Sequence, residues 1–178
     1  MATKQRRSAK STSNRKRAST APARSTKTMD AIELLKSDHV EVKDLFDRFE
    51  KLGDDGTRDE KEDIVREACA KLTVHATIEE EIFYPAMREV PEAAALLNEA
   101  EVEHGTAKEL IAKLDAMEAD DAMFDANFTV LSEYIRHHVK EEEGELFPKV
   151  RKSDLDLDSL GQQLAERKEG LMAELEPA

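Results

Sequence analysis

Apolar residues recur every three or four positions along most of the chain, the period at which one face of an α-helix turns inward. From Thr28, which reads as an N-cap with Asp30 in the first turn, to about Leu52 the stripe is Leu35, His39, Val42, Phe46 and Phe49. From about Arg58 to Arg88 it is Ala68, Leu72, His75, Glu79 and Ile82, and from about Glu92 to Glu118 it is Leu97, Ala100, His104, Ala107, Ile111 and Leu114. From about Asp121 to Val150 it is Phe124, Phe128, Leu131, Ile135, His138, Glu142 and then Glu145 or Leu146. The turn-forming run Gly53-Asp54-Asp55-Gly56 separates the first two segments, Pro91 precedes the third, and Pro85 predicts a kink or stop near the end of the second. Four helices joined by loops this short predict an all-α, up-down antiparallel four-helix bundle over residues 29–150. Residues 151–178 predict one additional, short C-terminal helix, from Ser153 to Leu175, whose Leu157, Leu160, Leu164 and Leu171 can lie against the bundle.

Charged residues make up 38% of the chain and aromatics 4%, with no Trp, which suits helices with solvated outer faces. The charge is unevenly spread. Residues 1–28 carry nine Lys or Arg and no acid, a charge of +9, so the remainder of a chain whose net charge is −13 carries −22. With no large apolar residues after Met1, this tail cannot offset the entropy of ordering and is expected to be disordered. It could bind the phosphate backbone of nucleic acid without reading sequence, fold loosely over the acidic domain, or aid solubility. Cys69, the single cysteine, lies near Val65, Ala68 and Leu72 and reads as core. No apolar run is long enough to span a bilayer and no secretory segment is legible, so a cytoplasmic protein without membrane contact is expected.

The polar residues inside the apolar stripes carry the candidate chemistry. His75 and Glu79 are four apart, as are His138 and Glu142, and each histidine stands ten residues before a proline preceded by an aromatic, Tyr84-Pro85 and Phe147-Pro148. Upstream of each is a histidine behind an acid, Asp38-His39 and Glu103-His104, at intervals of 36 and 34 residues. Positions i and i+4 of a helix share a face, so each HxxxE can aim an imidazole nitrogen and a carboxylate oxygen at one point. Unpartnered buried carboxylates and imidazoles cost several kcal/mol each, against a total stability of about 5–15 kcal/mol for a small domain. A shared metal would satisfy all six. The donors His39, His75, Glu79, His104, His138 and Glu142 suit iron, manganese or zinc, and without thiolates the usual structural zinc site is excluded. Two carboxylates able to bridge favour a dinuclear iron centre, as in bundles that build such sites from facing helices.

These residues resemble the hemerythrin-like HHE cation-binding family over about Met29 to Val150. The resemblance implies a four-helix bundle around two non-haem iron ions, held by His39, the first HxxxE of His75 and Glu79, His104, and the second HxxxE of His138 and Glu142, with the carboxylates bridging. Oxygen-carrying members have a further histidine one turn after the third-helix histidine and an aspartate in place of the last glutamate. Here Lys108 and Glu142 stand in those places, so the resemblance points toward sensing, iron handling or oxidative-stress protection, with dioxygen, peroxide or nitric oxide as the small ligand. Peroxide decomposition is the enzymatic version of this reading, although no acid, base or nucleophile outside the six is legible. His137, about 100° around the helix from His138, reads as a surface or supporting residue and is the candidate for a fifth nitrogen. Glu80, Glu81, Glu141 and Glu143 read as an acidic rim, some of which can orient histidines through their second ring nitrogen. Tyr134, one turn before His138, reads as core packing. Two other classes stay open: a nucleic-acid-associated stress protein that uses the basic tail, with the bundle as its metal module, and a purely structural bundle.

Overall fold

The computed structural model describes Met1 and residues 29–175, so the expectation of a disordered, nucleic-acid-binding basic tail lies outside the described residues. Five long helices account for most of the rest: α1 (Ala31–Leu52), α2 (Arg58–Ile78), α4 (Ala94–Asp115), α5 (Phe124–Glu141) and α7 (Leu157–Leu175). Two short ones, α3 (Tyr84–Met87) and α6 (Phe147–Val150), continue α2 and α5 after single π-helical segments, Glu79–Phe83 and Glu142–Leu146. Among the described residues there is no strand, and no helix is long and apolar enough to cross a membrane.

Local chemistry sets the ends. The N-cap of α1 is Asp30, not Thr28: its carboxylate accepts from the Glu33 backbone N–H at 2.8 Å while Glu33 accepts from the Asp30 N–H at 3.2 Å, a reciprocal capping box. Thr57 and Glu60 make the same box at α2. Gly53, with φ 49°, occupies backbone space open mainly to glycine and turns the chain out of α1. Pro91 opens a 3-10 turn through Ala93, so the third helix begins at Ala94, later than its pattern suggests. The fourth begins at Phe124, and the last at Leu157 instead of Ser153.

The four bundle helices are antiparallel in sequence-adjacent pairs. His39 faces His75, and nearer the turn at 53–57 Val42 and Phe46 of α1 share one apolar cluster with Leu72 and Ala68 of α2. Helix α7 lies across α1 and α2 and packs through Leu160 and Leu164, with Leu157 and Leu171 partly buried beside them. A Cβ built on Gly161 would fall 2.8 Å from the Ala31 backbone nitrogen, so the lack of a side chain there lets α7 meet the start of α1.

The interior is divided. One apolar cluster includes Ile32, Leu35, Ile78, Phe83, Met87, Leu97, Leu146 and Phe147, and the other Phe46, Phe49, Val65, Leu72, Ile111, Phe128 and Ile135. Between them lies a buried polar layer of Asp38, His39, His75, Glu79, His104, His138 and Glu142. Cys69 packs in the second cluster, where burial pushes its thiol up to about 12, and it behaves as core.

Candidate metal centre

All six residues picked out by the stripe pattern are buried and converge. His39 comes from the middle of α1, His75 from the last turn of α2, His104 from α4 and His138 from the last turn of α5. Glu79 and Glu142 are the first residues of the two π segments. Ligand-type atoms of His39, His75, Glu79 and Glu142 all lie within 4.8 Å of one another, as do those of Glu79, His104 and His138, giving two adjoining donor sets that share Glu79.

Each imidazole uses its two nitrogens differently. Nδ1 of His39 meets Glu143 at 3.0 Å, that of His75 meets Asp38 at 3.3 Å, that of His104 meets Glu80 at 3.0 Å and that of His138 meets Glu103 at 2.7 Å. In every case the carboxylate comes from a neighbouring helix or turn. An Nδ1–H that donates to a carboxylate leaves a lone pair on Nε2, aimed at the middle of the bundle. There the Nε2 atoms of His39 and His75 are 3.2 Å apart, and those of His104 and His138 are 3.3 Å apart. Lone pairs this close repel unless a positive charge is shared between them.

The carboxylates span the two histidine pairs. Glu79 Oε2 is 3.2 Å from His75 Nε2 and 3.3 Å from His104 Nε2, and Glu142 Oε2 is 3.4 Å from His39 Nε2 and 3.6 Å from His138 Nε2. Glu79 Oε1 and Glu142 Oε2 have no hydrogen-bond partner although both are fully buried. Buried carboxylate oxygens that accept no hydrogen bond are costly unless a positive charge stands beside them. Together with the facing imidazoles they form a donor set that fits cations.

Protons take the place of a cation in the metal-free chain. Burial alone would hold His75 neutral, but the Glu79 and Asp38 carboxylates outweigh it and push the imidazole up to about 10. Burial opposes charge on His138 in the same way, and Glu142 and Glu103 raise it. Glu79 is held well below the usual carboxylate range because His75 and His104 outweigh its desolvation.

One polar group at the centre was not anticipated. The Tyr84 hydroxyl donates toward Glu142 Oε1 at 3.1 Å and Glu79 Oε2 at 3.4 Å and lies 3.2 Å from His104 Nε2. Burial, reinforced by the two carboxylates, keeps the phenol protonated far beyond its ordinary range. The π segment places it there. Pro85 has no N–H to donate to Glu81, and the Tyr84 N–H bonds Glu79 one residue further back than in an α-helix. In the second repeat Pro148 and the Phe147 N–H on Glu142 do the same, and Phe147 stacks on His39 with centroids 5.9 Å apart and planes 3° apart. Thus the kink expected at Pro85 is a change of helical register.

The remaining expectations resolve individually. Within the acidic rim, Glu80 and Glu143 orient histidines, whereas Glu81 is bound by Arg167 of α7 at 2.7 Å and Glu141 lies 3.3 Å from His137. His137 is exposed and points away from the centre, so it supplies no fifth nitrogen. Tyr134 is half-buried and makes none of the centre's hydrogen bonds. Beside the four imidazoles is an apolar cavity of about 20 Å³ walled by Val42, Leu72, Ala107, Ile111 and Ile135. That is room for about one water-sized molecule.

A helical bundle that closes a layer of imidazoles and carboxylates on one point is the architecture of a cation-binding bundle protein. The family model of the hemerythrin HHE cation-binding domain matches residues 30–150, and the chain belongs to that family and is a metal-binding protein. Among solved structures it is similar to a hemerythrin HHE cation-binding-domain-containing protein from Mycobacterium kansasii, with 24% identity and a TM-score of 0.67 over 82% of this chain and 89% of that one. That likeness is one of fold. Among curated proteins none matches the chain.

Proposed function

We propose that His39, His75, His104, His138, Glu79 and Glu142 would together hold two iron ions, and that the protein uses them to interact with dioxygen, peroxide or nitric oxide in sensing, iron handling or oxidative-stress protection. The observation that carries this is the pairing of two Nε2–Nε2 contacts, at 3.2 and 3.3 Å, with two orphaned carboxylate oxygens in the same buried layer. Imidazole and carboxylate donors without thiolate suit iron, and six protein donors leave positions vacant on two ions. When bound, the iron pair supplies exchangeable coordination positions and electron transfer for a small ligand.

The chain's own groups do the rest. Asp38, Glu80, Glu103 and Glu143 fix the imidazole tautomers and ring angles. Tyr84 holds a protonated phenol between Glu79 and Glu142, a hydrogen-bond donor in an otherwise acceptor-lined site. The apolar cavity keeps bulk water from the histidines and leaves space for one small molecule. Full-length protein from iron-replete aerobic growth is expected to carry about two irons per chain, with near-ultraviolet absorption that changes on adding peroxide. Protein that retains no iron, or whose spectrum ignores all three small molecules, would overturn the reading.

A further inference from the structure

The four carboxylates that orient the histidines differ in what neutralises them. Asp38 is bound by Lys168 of α7, Glu80 by Lys108 at 2.5 Å, and Glu143 lies 3.7 Å from Lys43 and 3.8 Å from Lys36. Glu103 is the exception: among the described residues no Lys or Arg is within ion-pair distance of it, and its ion-pair contact is with His138. Where the other three have a lysine, Glu103 has His137 and Glu141 beside it. Ligand-type atoms of Glu103, His137 and Glu141 all lie within 4.8 Å of one another. His137 and Glu141 are one helical turn apart on α5, with Nε2 and Oε1 3.3 Å apart, and Glu103 faces them from α4.

We propose that Glu103, His137 and Glu141 form a second, outer cation site that takes a divalent transition-metal ion. One imidazole and two carboxylates match the hard-to-borderline preferences of zinc, iron(II) or manganese(II), and a divalent charge neutralises the two carboxylates as a lysine does only in part. The site is distinct from the buried centre yet touches it. Glu103 also accepts from His138 Nδ1 at 2.7 Å, and a cavity of about 10 Å³ lined by Glu103, Glu141, His138 and Glu142 separates the two. With His137 exposed, the outer site is open to solvent on that side.

The test is calorimetric titration of the iron-loaded full chain with zinc, beside His137→Ala and Glu141→Gln, with iron content measured on each sample. The basic tail adds no rival ligand, since it has no His, Cys, Asp or Glu before Asp30. The parent is expected to take one more equivalent of zinc than either variant, or to bind it at least about tenfold more tightly, as expected when a direct ligand is lost. Iron content should be equal in all three. Identical zinc stoichiometry and affinity in parent and variants would overturn the proposal. A parent without iron that still takes up zinc through His137 would fault the reading of the buried centre and leave the outer site standing.

Discussion

His39 with His75 and His104 with His138 are two versions of one construction, yet a phenylalanine covers one and a tyrosine the other. Glu79 and Glu142, the two π segments, and Tyr84 and Phe147 each recur 63 residues apart. Phe147 lies flat on His39 and offers no polar atom, whereas Tyr84 lies over His104 with centroids 5.3 Å apart and sends its hydroxyl into the centre. Their surroundings differ too: on the first side α7 reaches Asp38 through Lys168, and on the second Glu103 faces His137 and Glu141. A repeated ligand set therefore does not imply equal sites. The His104 side has a phenol hydroxyl beside its ring, and the His39 side has a purely apolar ring in that place.

The sharpest way to break this arrangement is Glu79→Ala, because Glu79 is the carboxylate common to both donor sets. Metal content by elemental analysis should fall from the proposed two ions per chain to almost none. If each half were self-sufficient, one ion would remain. Smaller effects separate the halves. Asp38→Asn and Glu103→Gln each remove the acid behind one imidazole and should weaken metal affinity by about 10–100-fold, measured by competition with a chelator. Asp38→Asn also releases Lys168, so only it should loosen α7, read as faster proteolysis after Leu157.

Tyr84→Phe makes the halves alike. It withdraws a donor shared by two buried carboxylates, and should destabilise the metal-free chain by about 1–3 kcal/mol in denaturant titrations. Phe147→Tyr places a second phenol against His39 and should not restore that loss. The gentlest probe is pH. His75, raised to about 10, is protonated in the metal-free protein at neutrality, and a metal must displace that proton, while Glu142 and Glu103 shift His138 in the same direction. Apparent affinity should rise by about tenfold per pH unit for each proton released, until pH passes about 10 for His75. The metal-free chain should respond in the opposite sense. A raised imidazole stabilises the fold fully below the ordinary histidine pKa and loses that contribution as pH climbs through the folded value. Thermal melts and metal titrations run on the same samples should therefore move in opposite directions.

Most of the frame was legible because it rests on a period. The stripes placed four histidines at heights that antiparallel pairing brings level, and the two HxxxE spacings placed Glu79 and Glu142 beside them. Helix ends were less legible: Thr28 and Asp30 are both good caps, and only the partner at Glu33 decides between them. Tyr84 escaped for a geometrical reason. Counted at the α-helical period it lies about 140° around from Glu79, and only the π register brings it over the carboxylate. The one local signal was the proline after each aromatic, which read as a kink. The orienting acids were visible as neighbours of the ligands, but each serves a histidine on another helix, and spacing along one helix says nothing about that.

The polar layer splits the interior into two apolar blocks, and a fold divided this way has its seam where the ions are wanted. An emptied seam leaves charged groups confined by protons alone, so the unfilled chain should open at its waist more readily than at either end. Cellular proteases act on such openings. Scarcity of metal would then be registered as a shortened lifetime of the polypeptide itself.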